Sequence, residues 1–335
     1  MRTFVGSLRA ACRWGKLRPS IAPRFAGLLC RALKRGLRKR DLDATLTIHR
    51  IPSDPARRTG ADALNTVPAI DTFTLRRGHA PLLISLPHDS SFIPDAIAAR
   101  MRPPARRSPD TDWHVGRLYE PLAQRLGASV LRPRASRYVI DLNRPADGHA
   151  LYPGQRETGL VPLIGFDGEP LYLAADQVDA QEVQQRTNDY WRPYHQALAD
   201  ELARLHAVHG CVVLWDGHSI RSRVPMLFKG RLPDFNLGTA AGASCGAALQ
   251  ARLEACLAAQ TRFSVAVNGR FKGGYITRHY GVPASGVQAV QLELAQRHYM
   301  DEESFIYDEA KASAVQDLID KLLRICLAQA SHETR

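Results

Sequence analysis

An α/β fold, three layers deep with helices on both faces of a mixed central sheet, is predicted by three observations. Segments with a strand pattern and segments with a helical period alternate along the body of the chain. Short runs rich in Val, Leu and Ile, at 82–86, 212–215 and 287–294, read as buried core strands. Two of these runs lead into a histidine and the third carries a glutamate, which puts polar groups at strand ends, where α/β sheets bind ligands.

The chain has 335 residues, 45% of them hydrophobic, enough for a full core. We read residues 46–335 as a single domain. No apolar run approaches the roughly 20 residues needed to span a bilayer. The net charge of +12 resembles a nucleic-acid signal until it is located: residues 1–40 hold twelve Lys and Arg and no acid. Removing those twelve from the forty-five basic residues leaves thirty-three, equal to the thirty-three Asp and Glu. The body is therefore neutral, and no nucleic-acid partner is expected for it. The six cysteines show no CxxC and no close spacing, so we expect reduced thiols and a cytoplasmic protein.

Residues 1–45 are basic and rich in Ala and Leu, and Pro19 and Pro23 break any long helix. This segment fits a targeting presequence, a segment lying on an anionic membrane, or an extension outside the fold, disordered or partly helical. We adopt the last and exclude it from the fold. Residues 67–76 suit an edge strand and hairpin. The strand at 82–86 stops at Pro87, before His88-Asp-Ser-Ser91, and Pro94 opens a helix to about 102. Asp110-Thr-Asp-Trp-His114 leads into a helix over 115–126, with Val115, Leu118, Leu122 and Leu126 on one side. Asp before a helix is commonly a cap, so Asp110 and Asp112 read either as caps or as metal ligands.

A strand follows at 128–132. The stretch 136–145 also alternates like a strand and ends in Asn143-Arg144. There a guanidinium fork beside a neutral donor suits a carboxylate, although a surface salt bridge is the plainer use of Arg144. Residues 146–180, rich in Gly and Pro, suit a lid or pocket wall. One long helix, or two, covers 179–206, with His195, His206 and His209 as ordinary neutral histidines.

Val212-Val-Leu-Trp215 is the strand on which a site is anchored. It runs into Asp216-Gly-His-Ser219, with Gly217 letting the backbone turn and deliver His218. A helix over 244–259 and a strand over 263–267 precede Asn268-Gly-Arg-Phe-Lys-Gly-Gly274, a loop suited to holding an anion but lacking phosphate-loop spacing. The strand at 287–294 carries Glu293, a carboxylate that must be paired, beside a metal or at an exposed end. A helix over 310–328 closes the domain.

Two imidazoles and a carboxylate at strand ends suggest a catalytic zinc with an open position. Such an ion makes a bound water nucleophilic and polarises a carbonyl. A nearby free carboxylate takes the proton and passes it to a leaving nitrogen, and arginines select an anionic substrate.

Six stretches, in one order, carry a family likeness: Asp110-Thr-Asp-Trp-His, 136–145, Leu214-Trp-Asp-Gly-His-Ser, Phe228-Lys-Gly-Arg-Leu-Pro-Asp-Phe-Asn-Leu-Gly-Thr, Asn268-Gly-Arg-Phe-Lys-Gly-Gly-Tyr-Ile-Thr-Arg and Gln291-Leu-Glu-Leu. Over about 70–328 the chain resembles the N-formylglutamate amidohydrolases. The resemblance implies hydrolysis of N-formyl-L-glutamate to glutamate and formate, the closing step of one histidine-degradation route. It also implies a fold similar to zinc carboxypeptidases and acyl-amino-acid deacylases, of the phosphorylase/hydrolase-like kind. Residue by residue, it makes His88 and His218 metal ligands, Glu293 the catalytic glutamate, and Asn143 with Arg144 the carboxylate-binding pair.

One position departs from the carboxypeptidase pattern: Ser91 stands where a glutamate ligand would follow the first histidine. The third ligand is therefore sought among Asp112, Asp110 and Asp89, Asp112 first. Arg137, Arg270 and Arg278 are the further candidates for gripping a substrate with two carboxylates. The expected cofactor is a divalent metal, Zn2+, and the expected partner an anionic N-acyl amino acid. Two other functions compete: deacylation of another N-acyl amino acid or short peptide, and non-catalytic binding through the basic tail.

Overall fold

The computed structural model describes residues 71–151, 154 and 156–333. The extension expected over 1–45 and the start of the hairpin expected over 67–76 lie outside the described residues. The described elements are, in chain order, β1 (Phe73–Arg76), β2 (Leu82–Ser85), α1 (Asp95–Ala98), α2 (Val115–Leu126), β3 (Ser129–Pro133), α3 (Ala180–Arg186), α4 (Arg192–His209), β4 (Val212–Ile220), β5 (Phe235–Gly238), α5 (Ala247–Ala258), β6 (Val265–Val267), α6 (Tyr275–Tyr280), β7 (Val287–Ala295) and α7 (Glu309–Glu333).

The seven strands form one mixed sheet in the order β1-β3-β2-β4-β7-β5-β6. Strands β3, β2, β4 and β7 run parallel; β1 pairs antiparallel with β3, and β5 antiparallel with β7. Successive strand residues face opposite ways, so each central strand supplies two cores. On one face Leu82, Ile84, Val213, Trp215 and Val290 pack with Val115, Leu249, Leu253, Ile319 and Leu322 of α2, α5 and α7. On the other, Leu83, Val212, Leu214 and Ala289 pack with Tyr194, Leu198 and Leu202 of α4 and Ile276 of α6. This is the three-layer α/β arrangement with a mixed sheet that the alternating pattern predicts. Among the described residues no helix is long and apolar enough to cross a membrane.

Several local expectations differ from the structure. β1 is an edge strand, but it pairs with β3 and forms no hairpin with β2. The stretch 136–145 is a series of turns: the Asp141 carboxylate accepts from Asn143 N at 2.9 Å and competes with strand pairing. Neither Asp110 nor Asp112 caps α2; His114 precedes it in a left-handed conformation with no side-chain cap. The helix opened by Pro94 is short, Asp95–Ala98, and Met101 beyond it bridges to Tyr172.

β4 does not turn at Gly217 but continues through Ile220, wholly buried. Glycine is required there by packing, since a Cβ would lie 2.7 Å from Leu86 and 3.1 Å from the Tyr119 ring. The long helical region divides into α3, a five-residue π-helix over Thr187–Trp191, and α4.

Candidate active site

β2 and β4 are parallel neighbours, with Ser85 opposite Asp216, so the segment leaving β2 brings His88 towards His218 within β4. β7 lies on the other side of β4, with Glu293 paired to His218 and Gln291 to Asp216. Asp112 reaches the same point from the turn before α2, and Asn143 and Arg144 from the turns that follow β3. The sheet thus gathers groups separated by up to about two hundred residues.

His88, Asp112 and His218 are buried and offer donor atoms all within 4.8 Å of one another. The two imidazole centroids are 4.9 Å apart. His218 Nδ1 lies 3.0 Å from Asp112 Oδ2, and His88 Nδ1 lies 3.7 Å from Asp112 Oδ1. The far ring nitrogens are held by carboxylates: His88 Nε2 is 2.7 Å from Asp141 Oδ1 and His218 Nε2 is 3.1 Å from Asp216 Oδ1. A carboxylate on the outer nitrogen is the usual support of a metal-binding histidine, because it fixes tautomer and ring orientation.

These residues fit a divalent ion. His88 Nδ1 is buried with no hydrogen-bond partner, a costly state unless a ligand satisfies it. Asp112, Asp141 and Asp216 crowd the two imidazoles, with Arg137 the nearest cation. Burial opposes ionisation of Asp112 and Asp141, but neighbouring positive charge outweighs it and holds both well below the usual carboxylate range. His88 and His218 do this for Asp112, and His88, Arg137 and Arg144 for Asp141. Burial likewise opposes the charge of His218, yet Asp216 and Asp112 raise it well above an ordinary histidine. Burial pushes Glu293 up to about 8, against the pull of His218 and with Asp112 adding to the rise. Buried carboxylates thus surround both imidazoles, a setting that suits a cation.

A cavity of about 60 Å³, partly open to solvent, adjoins this centre. His88, Asp112, Arg137, Asn143, Arg144, His218, Arg270 and Glu293 all line it. Arg278 does not: it is exposed on α6, and its Nε donates to Gly273 O at 2.8 Å. Arg278 thus stands outside the lining of the cavity, at an exposed position of α6.

The other cations differ in what they already hold. Arg137 is buried, with Nη2 2.6 Å from Asp141 Oδ2, and lies over the Phe166 ring. Arg144 donates to the carbonyls of Thr158 and Asn143 and to the Thr158 hydroxyl, all neutral acceptors. Arg270 donates to the carbonyls of Leu227 and Arg156. Asn143 directs its amide inward: Oδ1 accepts from Ile276 N at 2.8 Å, and Nδ2 lies 2.8 Å from His218 Nε2.

The segment 146–180 contributes Glu157, Thr158 and Phe166 to the cavity wall, and one Glu157 oxygen is buried without a partner. The anion-loop reading of 268–274 takes a different form. Arg270, Phe271 and Gly274 line the cavity, and Gly274 admits Asn143, whose amide would lie 2.4 Å from an added Cβ. Asp110 binds the Tyr138 hydroxyl and Phe166 N, Asp89 pairs with Arg132, and His195 contacts Leu142 O, so none of these joins the centre. Sequence reasoning assigned no role to Asp141 or Asp216. The Asp-x-His spacing in β4, which puts Asp216 and His218 on one face, was the available signal.

Residues 80–300 match the family model described as N-formylglutamate amidohydrolase. The chain is 52% identical over 259 residues to an N-formylglutamate deformylase of Pseudomonas aeruginosa, covering 77% of this chain and 97% of that protein. It is 49% identical over 256 residues to one from Pseudomonas putida, covering 76% and 95%. A solved N-formylglutamate amidohydrolase from Ralstonia eutropha JMP134 superposes with a TM-score of 0.65 at 28% identity, covering 78% of this chain and 98% of that one. A gene product of Agrobacterium tumefaciens, at 18% identity and a TM-score of 0.60, matches in fold alone. Matched across its folded body and aligned with these relatives along nearly their whole length, the chain belongs to the N-formylglutamate amidohydrolase family.

Proposed function

We propose that this protein hydrolyses N-formyl-L-glutamate to L-glutamate and formate, with a divalent ion, Zn2+, held by His88, Asp112 and His218. The observation that carries the reading is Glu293 paired in register with His218, beside a buried His/Asp/His group and a cavity lined by arginines. The names of the Pseudomonas relatives supply the substrate class. The free cysteines among the described residues suit a cytoplasmic setting. We take residues 46–335 as the catalytic domain and 1–45 as an extension outside it.

In this reading Arg144 and Arg270, which both line the cavity, bind the two substrate carboxylates. Arg137 chiefly orients Asp141, which orients His88. A bound divalent ion would acidify a water and polarise the formyl carbonyl. Glu293 takes the proton from that water as the new C–O bond forms at the formyl carbon. It then gives the proton to the amide nitrogen as the C–N bond breaks, and glutamate leaves with formate. Burial suits Glu293 to both steps, because it brings the carboxyl near neutrality.

The test is release of formate and glutamate in equal amounts by the metal-loaded protein, and its loss in Glu293→Gln. Removing an acid/base group lowers the rate about 10²–10⁴-fold. Near-normal turnover by a folded Glu293→Gln protein overturns the assignment. Preference for an acetyl or succinyl amino acid in a substrate panel overturns the substrate.

A further inference from the structure

Asp112 sits in a turn with no regular structure, yet its carboxylate is held between His88 and His218. The restraint comes from the segment that follows β7. Gln296 Nε2 donates to Thr111 O at 3.1 Å, and the Tyr299 hydroxyl donates to Trp113 O at 2.9 Å. The carbonyls on both sides of Asp112 are therefore held from one short stretch of chain. Ser219, next to His218, joins the network: its hydroxyl lies 2.6 Å from the Tyr299 oxygen and 3.4 Å from Gln296 Nε2, and its backbone N–H donates to Asp112 Oδ2 at 3.1 Å. One proton per group suffices, with Ser219 donating to Tyr299 and Tyr299 to Trp113. Gln296, Tyr299 and Ser219 are all buried, so water does not readily replace these bonds.

We propose that Gln296 and Tyr299 are positioning residues for the metal: they hold Asp112 at the ligand position and tie its turn to the strand that delivers Glu293. Neither lines the cavity. Their effect is pre-organisation, which groups outside the ligands typically contribute to a metal centre. The inference rests on the metal-centre reading above.

The experiment measures zinc affinity on the full chain by competition with a chromophoric chelator. It compares wild type, Tyr299→Phe, Gln296→Leu and a control, Tyr194→Phe. The control removes a buried hydroxyl bonded to Ser85 at 2.9 Å, away from the ligand turn. Tyr299→Phe and Gln296→Leu are each expected to weaken zinc binding about ten- to a hundredfold, with excess zinc restoring most of the turnover. Tyr194→Phe is expected to lower the melting temperature without changing zinc affinity. Two variants are used so that one remains informative if the other fails to fold. If both bind zinc like wild type, or lose no more than the control, the positioning role is overturned and the metal reading stands. If wild type itself binds no divalent ion, the metal reading falls and this inference with it.

Discussion

At the residue scale the centre is a set of charges that make sense only together. Asp141 shows this best. It accepts from Asn143 N, touches His88 Nε2, and neutralises Arg137, so one carboxylate orients a ligand, a turn and a cation. Asp141→Asn keeps the shape but leaves Arg137 buried without its partner charge. Breaking a buried pair from one side costs about 3–5 kcal/mol, and losing the support of a ligand histidine costs about 10–100-fold in metal affinity. Thermal unfolding and zinc titration of this variant are expected to show both losses. A variant that unfolds earlier but binds zinc normally would make Asp141 structural only.

At the element scale, the pairing of β4 with β7 sets the geometry. A one-residue slip would turn Glu293 to the opposite face of the sheet from His218. Gly217 keeps β4 straight through this register because nothing larger fits between Leu86 and Tyr119. Gly217→Ala is expected to destabilise the protein by about 1–3 kcal/mol through overpacking, read as a lower melting temperature. Unchanged stability would mean that Leu86 yields freely. The π-helix over Thr187–Trp191 has a related use. It sets Trp191 to donate to Arg144 O at 2.9 Å, while His195 one turn later contacts Leu142 O at 2.9 Å. The helical layer thereby grips the turns that carry Asn143 and Arg144. Insertions of this kind often occur at functional sites.

At the scale of the whole molecule, stability depends on groups buried in one protonation state. His195 stacks on Trp191, and burial lowers its pKa from 6.5 to about 3. Below pH 6.5 the unfolded chain takes up a proton that the folded chain refuses, so stability falls as pH falls from 6.5 towards 3. The slope from this group approaches about 1.4 kcal/mol per pH unit within that window, and above it the group contributes none. His195→Gln is expected to flatten the acid limb of a stability-against-pH curve by this amount. An identical limb in both proteins would assign the acid sensitivity elsewhere.

Much of this was legible in the chain alone. The apolar runs marked β2, β4 and β7 because a buried strand reads as a continuous hydrophobic segment. A histidine or glutamate ending such a run marked where polar chemistry would gather. The helical period placed α2 at 115–126, as observed. These features are local, and local patterns report backbone conformation. What lay beyond them were partnerships across the fold. Alternation at 136–145 looked like a strand because periodicity is blind to a carboxylate that captures nearby backbone N–H groups. Arg278 looked equivalent to Arg270 because sequence spacing does not reveal which of two neighbouring arginines lines a cavity. That Asp112, already preferred to Asp110 and Asp89, lies beside both histidines was decided by the order of the strands, since that order brings together residues from far along the chain.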